Sequence, residues 1–397
     1  MMPNHSFTGL DADVIVVGGG LAGLISSIQL AQAGLGVMLF EKGSFPKHKV
    51  CGEYISNEIR PILNKIGLYP EQITPIKINQ LTLSAPSGNS LHTHLPLGGF
   101  GVSRYQIDLS LYNLALESGV KVVTQTSINA VQFEKTKDEF TLSTRKGQVF
   151  RSRIVLGSFG KRSMLDRTLN RVWFKHEAPY IGIKYHLEMD FPDELVALHN
   201  FRGGYAGLSK VEDGSVNFCY LIAKSVFQQY NDIDSVEKEV LAKNPFLKTV
   251  IDNSESLEGF PLSISNISFS PKSLIQDHII MAGDAAGLIS PLAGNGMAMA
   301  IHAADIAAKH VLAYARNEIR REEMEQRYWE EWNQTFRWRL WVGRQLQKLF
   351  GHSFVSEVSL GGLKKAPTLV PYIIRQTHGK YDKTLLSPAS FGNGGHG

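Results

Sequence analysis

Three glycines, Gly18, Gly20 and Gly23, followed by the acid Glu41, are the first residues whose types and spacing suit a chemical task. Gly18 suits a tight turn, Gly20 lets the main chain approach a pyrophosphate, and Gly23 lets a helix pack closely on a strand. Leu21 and Ala22 open a helix whose unpaired N–H groups and positive dipole end would face the phosphates. Glu41 ends the next apolar run, roughly 20 residues on, where a carboxylate accepts both hydroxyls of an adenosine ribose, with Lys42 beside it. The plainer alternative is a glycine turn that only closes a strand on a helix.

A second group lies far along the chain. Gly283 and Asp284 follow the apolar run His278 to Ala282, and Pro291, Gly294, Asn295, Gly296 and Met297 lead into a long helical pattern. A carboxylate such as Asp284 can hold a ribityl hydroxyl, and the start of the helix after Gly296 can stabilise negative charge on a reduced flavin ring. A nicotinamide dinucleotide needs neither. The two groups together therefore predict FAD as the cofactor.

Other chemistry is sparse. Cys51 and Cys219, the two cysteines, give neither a disulfide framework nor a zinc pattern, and they fit a reducing, cytoplasmic setting. His302 and the other histidines show no ligand pattern, so no metal is expected. A net charge of +4 over 397 residues gives no reason to expect a nucleic-acid partner. Met1 to Asp13 is polar and lacks the features of a signal peptide, and the run Val14 to Phe40 is too interrupted for a membrane span.

The elements that must hold these residues read as a β-α-β unit: Asp13 to Val17, Leu21 to Ala33 and Val37 to Phe40. Further helices are expected at Asn57 to Ile66, Gln106 to Ser118, Gly296 to Tyr314 and Glu318 to Phe350. Strands are expected at Ile78 to Ala85, Ser90 to Leu95, Val120 to Thr124, Ile128 to Glu134, Phe140 to Thr144 and Val149 to Leu156. A strand-rich stretch spans Tyr180 to Ala223, followed by a polar helix near Ser235 to Lys243, and an irregular tail follows Phe354.

The expected class is α/β (α+β), with a Rossmann-like domain of the glutathione reductase type, an inserted β-sheet substrate domain and a helical C-terminal region. The FAD domain is assigned 13–73, 100–165 and 269–325, the substrate domain 74–99 and 166–268, and the C-terminal helix and tail 326–397. The aromatic, basic stretch Tyr328 to Phe350 suits packing on the FAD domain, a lid over a hydrophobic substrate, or peripheral contact with a membrane.

From about Asp13 to Ala315 the chain resembles the flavoprotein superfamily that holds hydroxylases of the p-hydroxybenzoate hydroxylase type and the geranylgeranyl reductases. Lys49-Val50-Cys51-Gly52-Glu53 looks like the Cys-Gly stretch of the reductase branch, which lies beside the flavin. Arg104, in Ser103-Arg104-Tyr105-Gln106, resembles an arginine that approaches FAD, although a surface ion pair would also explain it. Asp108 reads as a helix cap. Cys51 is a candidate proton donor, redox thiol or shaping residue, against the plain reading of a small buried hydrophobe, and Glu53 and Tyr54 are candidate proton donors beside it.

The sequence departs from the hydroxylase pattern at Gly157-Ser158-Phe159-Gly160, where Phe159 stands in place of an acid that also serves NAD(P)H. Gly160 stays a candidate cofactor contact, Lys161 and Arg162 could attract a phosphate, and NAD(P)H is one candidate electron donor. Gly203-Gly204-Tyr205 lacks the tryptophan and Phe-Pro pair of the prenyl reductases. The resemblance implies hydride transfer through flavin N5 to or from a hydrophobic metabolite. The alternatives are an NAD(P)H-dependent monooxygenase or halogenase-like enzyme, and an electron-transfer flavoprotein without a substrate pocket.

Overall fold

The computed structural model describes residues 9–175, 178–287, 295–349, 353–365 and 369–377. Five parallel strands lie in the order Lys121–Val123, Val37–Phe40, Ala12–Val17, Val149–Gly157 and Ile279–Met281, with Ile275–Gln276 antiparallel at the edge. Val14 faces Val37 on one side and Ile154 on the other. Val14, Ile15 and Val16 are wholly buried, as expected for a parallel sheet covered on both faces. The strands Ile128–Glu134 and Glu139–Thr144 extend Val149–Gly157 as an antiparallel meander.

Helix Leu21–Gln32 crosses between the first two strands and packs on Gly296–Ala315 and Arg104–Glu117. Its buried Ser26 hydroxyl donates to Ala22 O at 2.8 Å, which satisfies that hydroxyl inside the core. Helix Arg321–Leu349 lies on Gly296–Ala315 and buries Tyr328, Trp332, Phe336 and Leu340 in the same core.

A nine-stranded sheet forms the second layer. Its order is Glu255–Ser256, Tyr180–Glu188, Val216–Ala223, Gly204–Lys210, Leu195–Phe201, Lys77–Ser84, Ser90–Gly101 and Tyr54–Ser56, and Leu262–Ile267 pairs with Tyr180–Glu188. The two faces separate by strict alternation. Ile183, Tyr185, Phe218 and Tyr220 pack on the helices Ile233–Glu239 and Pro245–Asn253. Gly182, Cys219, Leu221, Gly207 and Leu198 take the opposite side and line a cavity.

Two segments differ from expectation. The stretch after Phe354 carries the helices Ser353–Lys365 and Leu369–Thr377 rather than an irregular tail. Gly361, Gly362 and Pro371 punctuate it like a loop, but Leu360 and Val370 are buried, and tertiary packing of one apolar face outweighs propensity. Asp108 does not cap its helix: Ser103 does, accepting from Gln106 N. Pro291 and Gly294 lie outside the described residues. Among those residues no helix is long and apolar enough to cross a membrane.

Candidate active site

A cavity of about 2140 Å³ begins at the glycine turn and ends between the second sheet and the last two helices. Single ligand sites occupy roughly 300–1,000 Å³, so this one has room for a dinucleotide and a second molecule. Gly18, Gly20, Leu21, Ala22, Glu41, Lys42, Lys49, Cys51, Arg104, Gly160, Gly283, Asp284, Asn295, Gly296 and Met297 all line it.

The glycine end is shaped by main-chain contacts. Gly18 has φ +107°, and a Cβ there would lie 2.4 Å from Ser158 O. A Cβ on Gly23 would lie 2.0 Å from Gly18 O and 2.5 Å from Ser158 Oγ. Beside Gly20 the space is open for 4 Å, which leaves the turn bare toward the cavity. Ser158 locks the arrangement, its N–H donating to Val17 O at 2.8 Å and its hydroxyl to Gly18 O at 2.7 Å. The Glu41 carboxylate accepts from Gly19 N–H at 2.7 Å and Gly43 N–H at 2.8 Å, which aims it at the cavity with lone pairs to spare.

Across the cavity, Asn295, Gly296 and Met297 at the start of helix Gly296–Ala315 line the wall, with no acid in the helix's first turn. Its positive end therefore faces the cavity. Lys272 ties two cavity loops together by donating to Lys161 O at 2.8 Å and Asp284 O at 2.7 Å, with its ammonium 3.9 Å from the Trp173 ring centre. Burial pulls its pKa down to about 8, against the pull of Asp284 and Asp166.

Arg104 is no surface ion pair. Its guanidinium makes a two-pronged contact to buried Asp108, at 3.0 and 2.9 Å, and Lys49 Nζ reaches the same carboxylate at 2.7 Å. Two cations thus share one anion on the cavity wall. Burial and the neighbouring Arg104 charge hold Lys49 below its usual pKa, against Asp108.

The proton-donor expectation for Glu53 and Tyr54 does not fit the geometry. Glu53 is wholly buried at φ +53°, and it accepts from Lys184 Nζ at 2.5 Å, His186 Nε2 at 2.7 Å and Arg104 N–H at 2.6 Å. Burial opposes its charge, but the contacts from His186 and Lys184 prevail and hold its carboxyl below the usual range. It is an anionic anchor joining the loop to the second sheet. The Tyr54 hydroxyl donates to Gly98 O at 3.2 Å, and burial raises its pKa.

Cys51 stays on the cavity wall. The loop around it is fixed to the sheet by Lys184 Nζ to Lys49 O at 3.4 Å and Ser209 Oγ to Gly52 O at 3.3 Å. Cys219 lines the same cavity, and burial pushes its thiol up to about 12, so it stays protonated.

Lys184, His186, Ser158 and Lys272 were not foreseen as site residues. In Ile183-Lys184-Tyr185-His186-Leu187 the alternation assigns the polar side chains to one face, and that face would ordinarily be solvent. It is instead the face that meets Glu53. No spacing in the sequence pairs residues more than a hundred positions apart.

A bare turn at Gly20, an aimed carboxylate at Glu41, a helix start on the cavity and a cationic wall fit the phosphates, ribose and electron-rich ring of a flavin dinucleotide. Fold and site together define a flavin-dependent oxidoreductase. Residues 11–335 match the family model of the FAD binding domain, and the chain belongs to that family. It is 24% identical to the menaquinone reductase of Mycobacterium tuberculosis, covering 75% of this chain and 76% of that one. It is also 24% identical to digeranylgeranylglycerophospholipid reductase 1 of Methanopyrus kandleri, covering 88% and 93%. The flavin-dependent brominase Bmp2 superposes with a TM-score of 0.75 at 18% identity, covering 92% and 93%, a likeness of fold. The chain is an FAD-dependent enzyme of that family.

Proposed function

We propose that this chain is a reductase or dehydrogenase of a hydrophobic metabolite with an unsaturated or aromatic reacting group. The observation that carries the reading is the far end of the cavity. There Leu83, Leu198 and Leu221 of the sheet face Leu360, Leu363 and Ile374 of the last two helices. An apolar chamber joined to the cofactor cradle suits an apolar substrate and keeps water away from a transferred hydride. Such a chamber argues against a carrier with a solvent-exposed ring.

FAD, when bound, supplies the hydride chemistry at its N5 atom. The protein's own part is to orient and to set charge. Glu41 and the glycine turn hold the adenosine and phosphates, Asp284 takes a ribityl hydroxyl, and the start of helix Gly296–Ala315 favours negative charge. Cys51 is the side chain suited to meet the substrate beside the ring. Lys161 and Arg162 on the cavity wall suit the phosphates of NAD(P)H as electron donor.

The two relatives whose names denote reductases of isoprenoid molecules support this reading. The test is anaerobic turnover with chemically reduced enzyme and an unsaturated isoprenoid acceptor, read by flavin reoxidation. Reoxidation at full rate without oxygen is expected. Product that forms only with oxygen, with substrate-dependent oxygen consumption, would show the monooxygenase or halogenase-like alternative instead.

A further inference from the structure

The apolar chamber has an opening, and its surroundings have a chemical character of their own. Val358 lines the cavity and is yet 59% exposed, so the chamber meets solvent along helix Ser353–Lys365. On the neighbouring helix Arg321–Leu349, Trp338 and Trp341 stand 55% and 48% exposed, stacked with ring centres 4.9 Å apart. Trp338 Nε1 donates to Gln376 at 2.9 Å, which ties the tryptophan pair to the helix whose Ile373 and Ile374 line the chamber. Tyr372 of that helix is 62% exposed.

These rings do not serve the core. Helix Arg321–Leu349 packs through Trp332, Phe336 and Leu340, while Trp338 and Trp341 occupy its outer side. Large exposed aromatics gathered on and against a helix that lines the chamber mark an interaction surface. Charge selects the partner. Residues 335–377 hold seven basic side chains and one acid, Glu357; Arg339 turns inward to Glu58 at 3.3 Å, Lys364 and Lys365 are exposed, and Glu357 accepts Ser87 N–H at 2.9 Å at the surface. Arg337 and Arg375 are exposed beside the rings.

We propose that this face docks on an anionic lipid bilayer, and that the chamber draws its apolar substrate directly from it. Tryptophan and tyrosine settle at the headgroup level, and basic side chains are drawn to anionic headgroups. Each partner feature answers one seen on these helices. The second half of the proposal rests on the apolar-substrate reading, whereas vesicle binding requires no turnover, so the two can fail separately.

The experiment is sedimentation of purified, flavin-loaded enzyme with vesicles of phosphatidylcholine alone or mixed with phosphatidylglycerol, at low and high salt. Binding to the mixed vesicles is expected, weakened by salt and about tenfold weaker for W338A/W341A at unchanged flavin content. Failure to bind mixed vesicles at low salt overturns the proposal, as does equal binding by the double variant. Sedimentation velocity without vesicles supplies a further arm: a wild-type oligomer dissolved by W338A/W341A would make the face a contact between copies and overturn it. Should the variant fail to fold, wild-type tryptophan fluorescence decides. Quenching by lipids brominated near the headgroup is expected, and its absence counts against docking.

Discussion

The two ends of the cavity are made in different ways. At the glycine end the wall is main chain: Gly18 and Gly23, packed against Ser158, leave no room for a side chain, and Gly20 stands bare toward the cavity. At the far end it is side chain, supplied by leucines and isoleucines from the second sheet and the last two helices. The first surface demands particular residues, while the second needs only apolar bulk of suitable volume. One scaffold can therefore keep its cofactor while its substrate changes, which suits a fold also found in a flavin-dependent brominase.

The largest expected effect lies where the two regions join. Glu53→Gln leaves Lys184 and His186 buried without their anion, and about 3–5 kcal/mol of stability should vanish in a denaturant titration. Adding Lys184→Met should restore much of it. A small loss from the single variant would mean that the two regions are not joined by this ion cluster.

Acid should loosen the second sheet next. His199 in the second sheet bonds Ser84 Oγ at 2.8 Å and stacks on Phe246, and burial lowers its pKa to about 4. Its folded pKa lies below the unfolded value of 6.5, so the unfolded chain binds protons more readily between the two. Its contribution is complete above pH 6.5 and fades as pH falls toward 4, by about 3 kcal/mol in all. The depressed carboxyl of Glu53 acts later, losing its contribution as pH falls below the ordinary carboxylate range. Melting temperature measured from pH 7 to 4 should fall, and His199→Gln should flatten that slope.

At the main-chain end, Gly23→Ala places a methyl group against Gly18 O and should weaken FAD binding about a hundredfold, read by flavin fluorescence on titration. Ile374→Ser at the other end should leave that titration unchanged and raise KM for an apolar substrate about tenfold. If Gly23→Ala spared FAD, or Ile374→Ser removed it, the division into main-chain and side-chain walls would be wrong.

The same division explains what the sequence discloses. Gly18, Gly20, Gly23 and Glu41 are readable because each answers a fixed geometric demand within one short β-α-β unit. The first sheet's strands are readable for the same local reason, as short apolar runs bounded by turn residues. Lys184 and His186 are not, because alternation assigns a face without telling what covers it. The helices that close the chamber are hidden too, since Gly361, Gly362 and Pro371 argue locally for a loop while burial of Leu360 and Val370 decides globally.

Those closing helices are also the last part of the described chain to leave the ribosome. Synthesis runs from the N-terminus and domains generally fold as they emerge. The cradle's final element, Gly296–Ala315, precedes Ser353–Lys365 by nearly forty residues. For that interval of synthesis the chamber lacks its outer wall, and the cofactor site lies open to the solution. The nascent chain thus has time to collect its flavin before the wall that admits substrate is in place.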